Sequence, residues 1–93
     1  MTKTEMRYRL RQTRGLGIPV PLRVRFIRAA FRSDYERMRE LGAVVEDGRY
    51  FYCGTCDCHI WLTRYVLRGR GGEIVFEFGH VGPEMLVRRK ATV

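Results

Sequence analysis

Residues 60–78 read IWLTRYVLRGRGGEIVFEF and carry the clearest structural pattern in the chain. Two segments rich in β-branched and aromatic residues, 60–67 and 73–78, flank the glycine-rich segment 68–72, which is typical of a β-hairpin with a flexible basic tip. With Leu67 opposite Glu73, the apolar side chains of both strands share one face. We predict that this face forms the core, with the following members: Ile60, Leu62, Val66, Ile74, Phe76 and Phe78.

The segment before this hairpin predicts a helix followed by a further hairpin. Ser33 and Glu36 have the spacing of a capping box, so we expect a helix from Asp34 to Leu41. Gly42 then occupies the position of a left-handed C-cap. Residues 43–46 and 49–53 flank Asp47-Gly48, a favoured two-residue turn, and predict a hairpin.

Residues 22–28 alternate between apolar and basic side chains. This period of two predicts a half-buried strand that shows Arg23 and Arg25 to solvent. One longer helix from about Arg25 to Leu41 is the alternative. The overall prediction is an α+β fold, with one short helix on a mostly antiparallel sheet of two β-hairpins plus an N-terminal strand.

The chain divides into three parts on this prediction. Residues 1–20 form a basic N-terminal arm, 21–87 a single compact domain, and 88–93 a basic C-terminal tail. In the arm, Arg7, Arg9 and Arg11 would share one face of a strand. Arg7, Arg11 and Arg14 would instead share one face of a helix, and the pattern is compatible with both.

The charge of the chain indicates an anionic partner. Eighteen Lys and Arg residues face ten Asp and Glu residues, which gives a net charge of +8 at pH 7. All but two of these cations are arginines, whose planar fork binds phosphate through two hydrogen bonds. We predict a nucleic-acid-binding set on this basis: Arg7, Arg9, Arg11, Arg23, Arg25, Arg68, Arg70, Arg88, Arg89 and Lys90. Four aromatic side chains are candidates for stacking on bases or for a protein interface: Tyr50, Tyr52, Trp61 and Tyr65.

Cysteines cluster in residues 53–59, which read CGTCDCH. The C-x2-C spacing is typical of a zinc knuckle, and a tetrahedral site requires four ligands. The predicted hairpin register brings His80 beside Cys58, so we predict a structural zinc site made of Cys53, Cys56, Cys58 and His80, with His59 as the alternative ligand. Three reduced structural cysteines and a redox-active C-x-x-C remain open alternatives.

Residues 24–52 combine an extended segment, a short helix that ends in Leu41-Gly42-Ala43, and an aromatic strand, Tyr50-Phe51-Tyr52. This stretch resembles the small strand–helix–hairpin modules of plasmid primases and antirestriction proteins, and more distantly the HARP repeat of annealing helicases. Arg39 stands near the position of those modules' lysine, and Val44 replaces an aromatic residue. The resemblance implies a role in DNA processing.

These observations favour a small, non-catalytic nucleic-acid-binding protein, of DNA or RNA, with a structural zinc site. A small regulator or inhibitor of phage or mobile-element type is the alternative, and its partner would be an acidic host protein or a nucleoprotein complex. No nucleophile motif or phosphate-binding glycine loop is present, so we do not expect an enzyme. The sequence has neither a secretory signal nor an apolar stretch of spanning length, so we expect a cytoplasmic protein without a membrane partner.

Overall fold

The computed structural model describes residues 1–54, 56–79 and 82–91. In chain order the elements are α1 (Lys3–Gln12), α2 (Val20–Phe31), α3 (Tyr35–Glu40), β1 (Val44–Cys53), β2 (Cys58–Gly69), β3 (Gly72–Gly79) and β4 (Gly82–Arg89). The four strands form one antiparallel sheet in the order β1-β2-β3-β4. The prediction of an α+β fold with an antiparallel sheet is therefore confirmed, whereas the single helix is wrong.

The N-terminal strand predicted at residues 22–28 is also wrong, because these residues belong to α2. Proline is tolerated in the first turn of a helix, and Pro21 lies there. Phe26, Ile27 and Ala30 then follow at helical spacing and are fully buried. The alternation that indicated a strand spans too few residues to compete with this apolar stripe.

The short helix lies close to its predicted position. Asp34 rather than Ser33 is the N-cap, and its carboxylate accepts a hydrogen bond of 3.1 Å from the backbone N–H of Arg37. Gly42 has a φ of 101°, so the predicted left-handed C-cap is confirmed. Met38 is fully buried and fixes α3 to the core.

Asp47 and Gly48 do not form a hairpin turn, because β1 continues through them. The pairing of β1 with β2 shifts by one residue between Glu46 and Arg49. The predicted turn is therefore wrong, and β1 has a β-bulge of one extra residue at this position. The chain reverses instead between Cys53 and Cys58, which face each other across the two strands.

The register of β2 and β3 differs by one residue from the predicted one. Leu67 pairs with Ile74, and Arg68 pairs with Glu73. A shift of one residue moves every side chain of a strand to the other face. Tyr65 and Leu67 therefore join Ile74 and Phe76 in the core beneath the helices. The β3 half of the predicted core is thus confirmed, whereas Leu62 and Val66 of the β2 half lie on the opposite face. The side chain of Ile60 lies outside the described part of the chain.

The glycine-rich tip of this hairpin is packed and does not form a flexible loop. The Gly71 backbone N–H donates to the Leu16 carbonyl oxygen over 2.9 Å, and a Cβ at Gly71 would overlap the Gly15 carbonyl oxygen. Leu16 and Ile18 are themselves core residues, with exposures of 0% and 6%. Residues 1–20 are therefore part of the same compact body and do not form a separate arm.

Candidate nucleic-acid interface

The positive charge of the chain is concentrated in α1, α2 and the loop between them. Residues 1–32 contain nine of the eighteen Lys and Arg residues but only one of the ten acidic residues. The remaining residues, 33–93, contain nine of each and are neutral as a group. The helical pair therefore carries the whole net charge of the protein, and such asymmetry is typical of proteins that bind nucleic acids.

The two helices run antiparallel and leave two cationic grooves along their contact. One groove, of about 340 Å³, brings Lys3 and Arg7 of α1 beside Arg28 and Arg32 at the C-terminal end of α2. The other, of about 580 Å³, contains Arg7, Arg11 and Arg14 together with the N-terminal part of α2. Arg7 lines both grooves, so the cations form a continuous track over the helical pair.

The sequence alone placed Arg7 and Arg11 in the binding set, and both are exposed on α1. Lys3, Arg14, Arg28 and Arg32 were missed. The spacing of Arg7, Arg11 and Arg14 on one helical face was visible in the sequence, and Arg28 and Arg32 have the same separation of four. The missing information was that α2 is a helix lying antiparallel to α1.

Two of the predicted nucleic-acid contacts, Arg9 and Arg23, instead hold α1 and α2 together. Arg23 is buried, and its guanidinium donates hydrogen bonds of 3.0 Å to the carbonyl oxygens of Ile18 and Leu10 and to the Thr13 hydroxyl. Its predicted exposure on a strand face is therefore wrong. The Arg9 guanidinium lies 5.2 Å from the Phe31 ring centroid, a cation–π contact between α1 and α2.

Arg68 and Arg88 lie on the face of the sheet away from the helices. The Glu73 carboxylate accepts bonds from Arg68 at 2.9 Å and from Arg88 at 2.7 Å, and Glu46 bonds to the same two arginines. In the register, Val66 and Val75 lie between Glu46 and these two arginines, so the bonds to Glu46 pass over both valines. The two valines are 0% and 1% exposed. These arginines therefore cover apolar surface with ion-paired side chains.

Of the other cations predicted to bind nucleic acid, Arg89 bonds to the backbone of the protein and three are exposed. The Arg89 guanidinium donates to the carbonyl oxygens of Gln12, at 2.8 Å, and Arg14, and so joins β4 to the end of α1. Arg25, Arg70 and Lys90 are exposed.

An aromatic surface lies at one end of the sheet. Among the described residues, the pairing of β2 with β3 covers residues 63–69 of β2. Residues 50–53 pair with 58–61 beyond this stretch, and we call residues 50–53 and 58–62 the β-ribbon. Tyr50 pairs with Trp61 in the register, and their ring centroids are 4.8 Å apart in an edge-to-face arrangement. Tyr50, Tyr52 and Trp61 are 69%, 56% and 51% exposed. Tyr65, the fourth predicted stacking residue, is instead buried.

The buried position of Tyr65 has a clear cause. Its ring stacks on Tyr35 of α3 at a centroid distance of 5.4 Å, and it packs edge-to-face on Phe78. Helix α3 therefore covers this part of the sheet, and Tyr65 belongs to the core.

The cysteines meet at the tip of the β-ribbon. Cys53 pairs with Cys58, and Cys56 lies in the connecting turn. Hydrogen bonding to the Cys58 thiol, with smaller effects of desolvation and of Cys53, raises the pKa of Cys56 to about 12. The Tyr52 hydroxyl donates a hydrogen bond to the Asp57 carboxylate, which raises the pKa of Tyr52.

Among residues 1–54, 56–79 and 82–91, no group of three or more His, Cys, Asp or Glu side chains is arranged as a metal site. His80 lies outside these residues. His59, the alternative ligand, is paired in the register with Tyr52, and its ring lies 5.6 Å from the Tyr52 ring. Adjacent residues of a strand point to opposite faces, so His59 points away from the Cys58 side.

Comparisons with protein-family models, with curated proteins and with solved structures find no match to this chain. The resemblance of residues 24–52 to primase-associated modules therefore stays a prediction. Within the described part of the chain, none of the helices has the length and apolar character needed to cross a membrane.

Proposed function

We propose that this protein binds nucleic acid through the cationic track on α1 and α2, without catalysing a reaction on it. The observation that carries the proposal is the confinement of the entire net charge to residues 1–32. Exposed arginines along a groove form charge-assisted, bidentate hydrogen bonds with phosphates. The rest of the protein is electrically balanced, so the field of the molecule orients the helical pair toward a polyanion.

A salt titration tests this proposal. Binding to DNA and RNA, each single-stranded and duplex, is measured from 50 to 300 mM salt, about the range over which phosphate contacts lose most of their affinity. We expect the Arg7→Gln/Arg11→Gln double variant to lose at least about tenfold in affinity and to reduce the salt slope by about 2, because each phosphate contact contributes about 1.

The matched control is Arg37→Gln/Arg39→Gln, which removes the same charge from α3. Both of these arginines lie in the balanced part of the chain, and Arg37 already pairs with Glu40 at 3.1 Å. Equal losses in the two double variants would mean that only total charge matters. Absence of nucleic-acid binding at about 150 mM salt, where the Debye length is about 8 Å, would reject the proposal and favour the alternative, a regulator that binds an acidic protein.

As a separate proposal, the β-ribbon tip binds a structural zinc ion through the thiolates of Cys53, Cys56 and Cys58. Its support is the C-x2-C spacing of a zinc knuckle and the pairing of Cys53 with Cys58 beside Cys56. Binding would require the three thiols to rearrange, since these described residues are not arranged as a metal site in the structure. The protein is purified under reducing conditions, and its zinc content is measured. We expect stoichiometric zinc that is lost in Cys56→Ser, whereas metal-free protein with unchanged stability would contradict the site.

A further inference from the structure

We propose that Tyr50, Tyr52 and Trp61 on the β-ribbon form a base-stacking platform, so that the nucleic acid bound by this protein is single-stranded at this site. The inference rests on the proposed function and adds to it a second contact surface and a class of ligand. Four observations carry it: the exposure of the rings, their spacing, the lack of a covering helix among the described residues, and their position relative to the cationic track.

The helices cover the body of the sheet but not the β-ribbon. In the body, Tyr65 and Phe76 point toward the helices and have exposures of 6% and 0%. Trp61 lies on the same face of β2 as Tyr65, since residues four apart on a strand share a face. Yet Trp61 is 51% exposed and Tyr50, its partner in the register, is 69% exposed. No helix among the described residues extends over these rings.

The spacing of the rings suits a single-stranded nucleic acid whose bases are not stacked on one another. Tyr50 and Tyr52 are two residues apart on β1 and therefore about 6.6 Å apart along the strand. This separation is about twice the 3.4 Å between successive bases of a DNA strand in a duplex. Every base has a π-face that stacks on an aromatic side chain, but a duplex keeps those faces within its own stack. Only unpaired bases can use the platform.

The packing of α2 places cations on the same side of the sheet as the platform. The loop before α2 packs on Gly69 and Gly71, at the end of the sheet opposite the β-ribbon. Phe26 and Phe31 both contact the Phe76 ring, at 5.4 and 5.3 Å, so α2 crosses the sheet at the pair of Tyr65 and Phe76. Beyond it, Tyr35 lies 5.1 Å from Phe78, whose partner in β2 is Thr63.

The C-terminal end of α2 bears one of the two cationic grooves. This groove contains Lys3, Arg7, Arg28 and Arg32, on the same side of the sheet as the rings. A single strand can then place its phosphates on these side chains and its bases on the rings. An acidic protein would use the cations without needing exposed aromatic faces, so charge and aromatic character together favour a polynucleotide.

Trp61 is the only tryptophan in the chain, so its fluorescence reports on the platform alone. We expect strong quenching when a single-stranded homopolymer of thymidine or uridine is titrated into the intact protein, and weak quenching with a duplex. Tyr50→Ala and Tyr52→Ala should each weaken single-strand binding by about five- to hundredfold, the range found for loss of a base–aromatic stack. Tyr50→Phe and Tyr52→Phe keep the rings and should bind almost as the unchanged protein does.

Val44→Ala is the matched control. Val44 lies on β1 and is 52% exposed. It pairs with Val66, and both side chains lie on the face of the sheet opposite to that of Tyr50 and Trp61. Its removal should leave single-strand affinity unchanged. Thermal unfolding of each variant separates loss of binding from loss of the fold.

The outcomes distinguish the platform from the proposed function. Steep salt dependence with unchanged Trp61 fluorescence and full affinity in both alanine variants would overturn the platform while nucleic-acid binding stands. Equal affinity for duplex and single strand would overturn it as well. Failure to bind any nucleic acid at physiological salt would reject both proposals together.

Discussion

At the residue scale, Arg23 shows how a cation can hold a small fold together. Its guanidinium joins the end of α1, at Leu10 and Thr13, to the loop at Ile18, with each of its three bonds at 3.0 Å. The Leu10 carbonyl oxygen also accepts from the Thr13 backbone N–H and hydroxyl, and the partial negative charge at this end of the helix favours a cation. Arg23 therefore stabilises the contact between α1 and α2 on which the cationic track depends.

We expect Arg23→Met to lower the free energy of unfolding by about 2 kcal/mol, because three hydrogen bonds from a charged donor are lost, including the one to the Ile18 carbonyl oxygen. Urea denaturation followed by circular dichroism measures the change. Arg25→Met is the control, since Arg25 is exposed on the same helix, and it should change stability by less than about 0.5 kcal/mol. Equal effects of the two substitutions would show that the three bonds contribute nothing.

At the element scale, the β2–β3 hairpin and the loop before α2 interlock through glycines. At Gly69 a Cβ would overlap the Leu16 carbonyl oxygen, and at Gly71 it would overlap that of Gly15. We expect Gly71→Ala to cost about 1–3 kcal/mol, as overpacking of a closely packed site does. Gly54→Ala is the control, since a Cβ at Gly54 would meet no atom within 4 Å, and it should be nearly neutral. A neutral Gly71→Ala in thermal unfolding would contradict the interlock.

The same elements show what local sequence can predict. The strands of residues 60–78, the C-cap at Gly42 and the clustering of the cysteines follow from local patterns and were predicted. The register of β2 against β3 was not, because Arg68 and Glu73 pair across the strands at 2.9 Å and the flanking glycines are fixed by a distant loop. Helix α2 is indicated by the apolar stripe of Phe26, Ile27 and Ala30, which extends beyond the alternating residues 22–28. Both cationic grooves depend on the packing of α1 against α2, which no local pattern contains.

On the scale of the whole molecule, the separation of charge affects stability as well as binding. Nine cations and one acidic residue lie within residues 1–32, so the helical pair repels itself. Salt screens this repulsion, since the Debye length falls from about 30 Å at 0.01 M to about 10 Å at 0.1 M. Salt also weakens the ion pairs of the sheet, but exposed pairs contribute only about 0–1 kcal/mol each.

We therefore expect the melting temperature to rise between about 10 and 200 mM sodium chloride, where screening of exposed charges changes most. The Arg7→Gln/Arg11→Gln variant should melt higher at low salt and show a weaker dependence, because it removes two of the repelling cations. Arg37→Gln/Arg39→Gln removes the same charge from the balanced region and should keep the dependence of the unchanged protein. A melting temperature that falls with salt would mean that the ion pairs on the sheet stabilise the protein by more than the repulsion in the helices destabilises it. The repulsion among the cations of residues 1–32 would then be too weak to affect stability.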